Sequence, residues 1–175
     1  MGTRTARRSP RPPHPFIDDP GFECGEGQSG PVWFLAGVFG TVDRDCTIPA
    51  GKMVFFGLLN AECSSLEDPP FHGDTAAEQL ACAEGWADQI DVGSLFCTID
   101  GVDVQNLGSY RVASPQFAFT APTPWIFGAT GGSGTAVSDG YFLMLAPLSV
   151  GAHTLQFGGS ADFGSIDNTY YLTVQ

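Results

Sequence analysis

The chain has 175 residues, enough for one domain with its own hydrophobic core, and a hydrophobic content of 43% that is typical of globular rather than disordered proteins. Its net charge of −12 is unevenly distributed, since four of the seven basic residues precede position 12 and all 19 acidic residues follow position 17. An acidic body repels nucleic acid and anionic lipid, and no apolar run approaches the roughly 18 residues of a membrane helix. We therefore expect no nucleic-acid binding and no membrane insertion.

The first 20 residues contain five prolines and four arginines and have no periodic apolar face. This composition predicts a disordered basic tail over residues 1–20, followed by a single β-sandwich domain over residues 21–175. No apolar run follows the arginines, so the segment as written does not match a signal peptide. We expect either a misassigned or truncated start or a genuine basic tail.

Two continuous apolar runs, over residues 32–38 and 53–59, are typical of buried strands. They are expected to pair antiparallel at the centre of one sheet. A helix is predicted near residues 74–92, because Thr75 and Glu78 match a capping box and apolar residues recur at helical spacing. Those apolar residues are Ala76, Leu80, Ala83, Ala87 and Ile90.

The C-terminal third contains the strongest strand signals. Residues 141–146 are apolar, whereas residues 152–157 and 170–175 alternate, so that Leu172 should face a core and Thr173 solvent. Many strands, tight turns and one inserted helix together predict an all-β fold. The simplest form is a two-sheet antiparallel β-sandwich, either jelly-roll-like or immunoglobulin-like.

The five cysteines are widely spaced and form no C-x-x-C pair, which argues against a zinc ribbon or a thioredoxin-type site. Disulfides are expected instead, and they indicate an extracellular or periplasmic location. Spacing alone leaves several pairings open. We favour Cys24–Cys46 and Cys63–Cys82, in which each bridge spans a connection. Cys97 lies inside an alternating strand and is predicted to be a free, buried thiol.

Histidines and acidic residues offer one possible transition-metal site. His72 lies in an acidic loop, and together with His153 and Glu62 it could bind a transition metal as in cupins if the fold brought the three together. No H-x-H or H-x-x-x-H spacing supports such a site. The ordinary alternative for His153 is a hydrogen-bonded core histidine, since it shares strand parity with Leu155 and Phe157.

A loop near the C-terminus offers possible calcium ligands. Asp162, Asp167 and Asn168 carry the hard oxygen atoms that Ca²⁺ prefers. The loop does not match an EF-hand, and Asp and Asn are also common turn residues. No cofactor is required by any motif in the chain, although calcium or a transition metal could be bound at these two places.

Aromatic residues suggest a binding face. Trp125, Phe127 and the outward-facing Tyr171 could stack on a sugar or contact a protein, although most aromatic residues must fill the core. No nucleophile motif is present, because Ser133 lies in a sequence that departs from G-x-S-x-G. We therefore expect an exported, non-catalytic domain for ligand binding, adhesion or surface assembly, with a protein or glycan partner. The alternative is a metal-dependent, cupin-like enzyme that uses His72, His153 and a carboxylate.

Three segments carry a resemblance to a known family. They are GQSGPVWFLAG at residues 27–37, CTIPAGKMVFFGLLNAEC at residues 46–63 and DGYFLMLAPLSVGAHTLQFGG at residues 139–159. In these segments the chain resembles an uncharacterised family of secreted bacterial proteins. The resemblance implies export, and it implies no catalytic residue because the family has no assigned activity. The basic N-terminal segment departs from the family pattern, which has a signal peptide there.

Overall fold

The computed structural model describes residues 14–18, 20–126 and 130–175. Within these ranges two five-stranded sheets face each other and one helix is inserted between strands, so the predicted two-sheet β-sandwich is confirmed. The first sheet contains β1 (Val32–Leu35), β3 (Met53–Ser64), β8 (Gly132–Leu145), β6 (Arg111–Ala113) and β7 (Phe117–Ala121). The second sheet contains β2 (Gly40–Ile48), β10 (Gly164–Val174), β9 (Gly151–Ala161), β4 (Ile90–Ile99) and β5 (Val102–Asp103).

Both sheets are mixed rather than wholly antiparallel. β1 pairs parallel with β3, with Val32 opposite Met53, and β2 pairs parallel with β10. The expectation of an antiparallel pair between the first two apolar runs is therefore wrong. The reason is β2, which crosses to the second sheet and returns the chain to β3 in the direction of β1.

The core lies between the sheets and is built from inward-facing apolar side chains. Phe56 of β3 packs against Phe157 of β9 with ring centroids 4.6 Å apart, and Phe157 stacks on Tyr170 of β10 at 6.0 Å. Leu172 is buried and Thr173 is exposed, which confirms the predicted register of the last strand. Burial of such side chains stabilises the fold by about 25 cal/mol per Å² of apolar surface.

The helix α1 spans Ala76–Ala87 and packs against β3 and β8. Its capping box is confirmed, since Thr75 Oγ1 accepts a hydrogen bond from the Glu78 backbone and the Glu78 carboxylate accepts one from the Thr75 backbone. Ala83 and Ala87 of the predicted apolar stripe are buried, whereas Ala76 is exposed and Gln79, which was not predicted, is buried. Among the described residues, no helix has the length and apolarity needed to cross a membrane.

Both predicted disulfides are confirmed. Cys24–Cys46 ties the loop before β1 to β2, and Cys63–Cys82 ties β3 to α1. Cys97 is free and buried, and burial raises the pKa of its thiol to about 12. A thiol with such a pKa stays protonated at neutral pH, so it has little nucleophilic reactivity.

The last residues of the predicted N-terminal tail contact the domain. The buried Arg44 guanidinium donates to the carbonyl oxygens of Pro15 and Asp18, at 2.5 and 2.7 Å, and Asp45 donates its backbone N–H to Pro20. The folded part of the chain therefore begins before the predicted boundary at residue 21. Residues 1–13 lie outside the described part of the chain, and for them the tail stays a prediction.

Candidate functional site

A cleft of about 490 Å³ opens beside β3, the loop from β3 to α1, and the turn between β9 and β10. Among the described residues, five aromatic rings line it, and they come from widely separated parts of the chain: Phe16, Phe39, Phe71, Trp86 and Phe163. Its volume and mainly apolar lining are those of small-molecule sites. Polar groups enter it from Asn60 and from acidic residues of β3 and the following loop.

The five rings form a continuous row along the cleft. Phe71 stacks on Trp86 with ring centroids 4.9 Å apart, and Trp86 meets Phe163 edge to face at 5.8 Å. Phe163 then contacts Phe39, and Phe39 contacts Phe16, each edge to face at 6.4 Å. Such pairs stabilise each other, so the row is a largely preformed surface rather than a set of independent side chains.

A β-bulge in β3 directs polar side chains toward the cleft. The pairing of β3 with β8 shifts between Gly57 and Leu59, and the buried positions change from Val54, Phe56 and Leu58 to Leu59, Ala61 and Cys63. Without the bulge, Glu62 would have the same parity as Phe56 and would point into the core. The bulge instead places Glu62 among the residues that line the cleft.

Glu62 and Glu67 form a pair of carboxyl groups in the cleft. Burial, the negative charge of Glu67 and a hydrogen bond with Glu67 together raise the pKa of Glu62 to about 8, and burial is the largest of these causes. Oε1 of Glu62 is buried and has no hydrogen-bond partner among the described residues. At neutral pH Glu62 is therefore mainly protonated.

The loop that carries Glu67 and Phe71 is held from several sides. Ser64 Oγ donates to the Glu67 carboxylate at 3.0 Å, and the Ser64 backbone N–H donates to the Phe71 carbonyl at 3.0 Å. The Cys63–Cys82 disulfide joins the end of β3 to α1, which carries Trp86. The acidic pair and the stacked rings are thus fixed relative to each other.

Comparisons with known proteins identify no relative. No family model, no curated protein and no solved structure matches the chain. The resemblance of the three segments to secreted bacterial proteins therefore stays a prediction, and the assignment of function depends on the geometry of this molecule alone.

The two histidines of the predicted transition-metal site have separate partners. The ring nitrogens of His72 lie 2.7 Å from the Glu67 carbonyl oxygen and 3.1 Å from an Asp74 carboxylate oxygen. Those of His153 face Asp100 and Ser149. These hydrogen bonds raise the pKa of both histidines and favour imidazolium, which has no lone pair for a metal.

Among the described residues, no group of three or more His, Cys, Asp or Glu side chains is arranged to hold a metal ion. Glu62, the third predicted ligand, lies in the aromatic cleft, where its neighbour is Glu67. The structure does not give His72 and His153 a common partner, so the metal-dependent enzyme stays a prediction without geometric support.

Asp100, His153 and Ser149 are connected in the order of a serine-hydrolase triad, a feature that the sequence analysis missed. His153 Nδ1 lies 2.7 Å from Asp100 Oδ2, and its Nε2 lies 3.2 Å from Ser149 Oγ. However, Nε2 is closer to the Ser149 carbonyl oxygen, at 2.9 Å, and a carbonyl only accepts. Nε2 therefore carries a proton and cannot act as a base toward the hydroxyl. The three residues instead form hydrogen bonds that join two turns.

The three predicted calcium ligands have different environments. Asp162 lies in the turn between β9 and β10, whereas Asp167 and Asn168 are consecutive residues of β10 and point to opposite faces. Asn168 is fully buried, and its side chain accepts from the Val38 N–H at 2.7 Å and donates to the Val38 carbonyl at 2.8 Å. These residues do not converge on one calcium site.

The predicted aromatic face is divided between the two sheets. Trp125 lies 5.9 Å from Phe119, which belongs to β7 of the first sheet. Tyr171 is exposed on β10 of the second sheet, as its strand parity predicts. Phe127 lies outside the described residues, so the prediction for it stays open.

Sequence reasoning missed the aromatic cleft as a site, although several of its residues were visible. Trp86 lies at the edge of the helical stripe, and Phe71 follows consecutive prolines in an acidic loop. An aromatic residue in a proline-containing loop beside a helix that carries tryptophan is a usable signal. The convergence with Phe39 and Phe163 has no signal in local spacing, because it depends on the tertiary fold.

Proposed function

We propose that the protein is an exported binding domain that holds a small organic ligand in the aromatic cleft. The observation that carries this proposal is the convergence of five aromatic rings, from residues as distant as Phe16 and Phe163, on a cleft of about 490 Å³. A fold that needed these rings only for stability would bury them in the core. Phe71 instead keeps 37% of its surface exposed.

Export is supported by the two disulfides. Disulfides form and persist mainly in oxidising compartments, so Cys24–Cys46 and Cys63–Cys82 favour an extracellular or periplasmic location. The acidic composition favours solubility and disfavours binding to nucleic acid. Both points agree with the secretion that the resemblance implies.

A fragment screen by saturation-transfer NMR tests the proposed function, with two matched variants. Phe71→Ala removes a ring of the cleft, while Phe117→Ala removes a ring of similar exposure, 42%, on β7. We expect fragments that bind the native protein to lose about two- to tenfold in affinity with Phe71→Ala, because stacking contributes about 0.5–1.5 kcal/mol. Phe117→Ala should bind them unchanged.

Two outcomes contradict the proposal. One is a screen in which no fragment binds the native protein. The other is binding that survives Phe71→Ala, since the ligand would then lie elsewhere. Thermal melts of both variants must resemble that of the native protein, so that a lost signal reports the cleft and not unfolding.

A further inference from the structure

The charge of the cleft has one sign. Glu62, Glu67 and Asp68 line it, and among the described lining residues none is Lys, Arg or His. An anionic ligand would meet only repulsion there. A neutral ligand would bring no cation to the carboxyl groups that line the cleft, whereas a cationic ligand would supply one.

The aromatic faces of the cleft also favour a cationic ligand. A ring face carries the negative part of the quadrupole and attracts a cation within about 6 Å of its centroid, and the attraction is strongest for Trp. Phe71 and Trp86 are stacked beside the loop that carries Glu67 and Asp68. Rings and carboxylates therefore favour the same type of group in the same cleft.

We propose that the cleft binds an organic cation, a substituted ammonium group whose alkyl carbons contact the ring row and whose charge faces Glu62 and Glu67. The proposal rests on the proposed function and names its ligand class. A hydrated metal ion suits the cleft poorly, because most of its lining is apolar and no group of metal ligands is present among the described residues. An alkylated ammonium matches both the apolar and the acidic part.

Binding of a cation should release a proton. Among the described residues, Glu67 and Asp68 line the cleft with Glu62, and the His72 ring contacts the Glu67 backbone and Asp74 and interacts with the charge of Asp68. The raised pKa of Glu62, about 8, keeps its carboxyl mainly protonated at neutral pH. A neighbouring cation favours the ionised form, so the affinity for a cation should rise as pH increases toward and past this value.

Isothermal titration with choline and its neutral isostere, in which a tert-butyl group replaces trimethylammonium, tests this inference. The two probes have the same shape and differ in charge. We expect choline to bind about tenfold more tightly than the isostere at pH about 8.5, and its affinity to rise about tenfold from pH about 6.5. Titrations in two buffers of different ionisation enthalpy should show that choline binding releases a proton.

Variants locate the effect. Glu62→Gln should remove the pH dependence and most of the preference for choline, and Glu67→Gln is a second variant should the first fold poorly. Glu84→Gln, an exposed change on the same helix as Trp86, is the control and should behave like the native protein. Equal affinity for the two probes, or no binding of choline, would overturn the inference.

The outcomes also separate this inference from the proposed function. If neutral fragments bind in a manner that depends on Phe71 while choline binds no more tightly than its isostere, the cleft is a ligand site and the inferred preference for cations is wrong. If no fragment and no cation binds, both proposals fail. If choline binds but Phe71→Ala and Glu62→Gln leave its affinity unchanged, the cation lies outside the cleft and the inference also fails.

Discussion

Glu62 is the residue at which the proposed ligand binding and the stability of the fold make opposite demands. Its pKa is raised because the ionised form is buried beside the charge of Glu67, so the fold holds this carboxyl against its solvation preference. Groups in clefts whose pKa values are strongly shifted cluster at functional sites. The buried Oε1, which has no partner among the described residues, agrees with that interpretation.

The first prediction concerns the pH dependence of stability. The pKa of Glu62 is about 8 in the folded state and near 4.5 when unfolded, so between these values the folded state holds a proton that the unfolded state has lost. The free energy of unfolding should therefore fall as pH rises through this window. Urea denaturation at pH about 5, 6.5 and 8.5 should show a steeper fall for the native protein than for Glu62→Gln.

The control for this prediction is Glu84→Gln, which makes the same substitution at an exposed helix position. Its stability should follow the native protein across the series. His72 and His153, whose pKa values are raised, also contribute less stability as pH rises. Both residues are present in the native protein and in the two variants, so their contribution is the same in all three. If the free energy of unfolding of the native protein changed with pH in parallel with that of Glu62→Gln, the pKa of Glu62 would not be raised.

At the scale of elements, two neighbouring substitutions in β10 test the register of this strand. Leu172 is 1% exposed and Thr173 is exposed on the opposite face. Leu172→Ala removes a buried side chain and leaves a cavity, so we expect a loss of about 2–5 kcal/mol in the free energy of unfolding. Thr173→Ala should change it by no more than about 0.5 kcal/mol. Similar losses in urea denaturation would contradict the register.

The Cys63–Cys82 disulfide should stabilise the cleft as well as the fold. Replacing both cysteines by Ala should cost about 2–4 kcal/mol, and the double Ala variant of Cys24 and Cys46 is a close match because the sequence separations are 19 and 22. Only the first variant should accelerate hydrogen exchange at Ser64 and Gly73, whose backbone hydrogen bonds close the loop. Equal exchange in both would mean that the disulfide does not fix this loop.

The sequence predicts elements well where periodicity is strong. The alternation of the last strand and the capping box of α1 were both visible because local spacing determines them. The strand β2 was missed because its inward positions include Arg44, which reads as a surface residue. Arg44 is buried because backbone carbonyls and the Tyr170 ring, 5.2 Å from its guanidinium carbon, surround it.

The cleft could not be predicted from spacing for a different reason. Its rings come from the N-terminal segment, the β1–β2 connection, the loop before α1, α1 itself and the β9–β10 turn. Each ring is locally indistinguishable from a core residue, and only the packing of two sheets and a helix brings them together. The bulge that directs Glu62 toward them also has no strong local signal, although Gly57 precedes it.

At the scale of the whole molecule, Arg44 joins the N-terminal segment to the sandwich. Its guanidinium is fully buried and donates to carbonyl oxygens of Pro15 and Asp18 and, at 3.5 Å, of Ala36. Among the described residues it has no ion pair with a carboxylate. The backbone carbonyls thus take the place of a counter-ion, and residues 14–18 form part of the folded domain.

The last prediction compares a chain that begins at His14 with one that begins at Gly21. The shorter chain lacks two acceptors of the buried Arg44 guanidinium and the Phe16 ring that contacts Phe39. Hydrogen bonds to charged groups contribute about 1.5–3 kcal/mol each, and water replaces part of this, so we expect a loss of about 2–4 kcal/mol. Urea denaturation measures it, with the full chain as reference, and the chain from His14 should match that reference because the Pro- and Arg-rich sequence of residues 1–13 has no periodic apolar face. A chain from Gly21 that is as stable as the full chain would show that Arg44 does not need the N-terminal carbonyls.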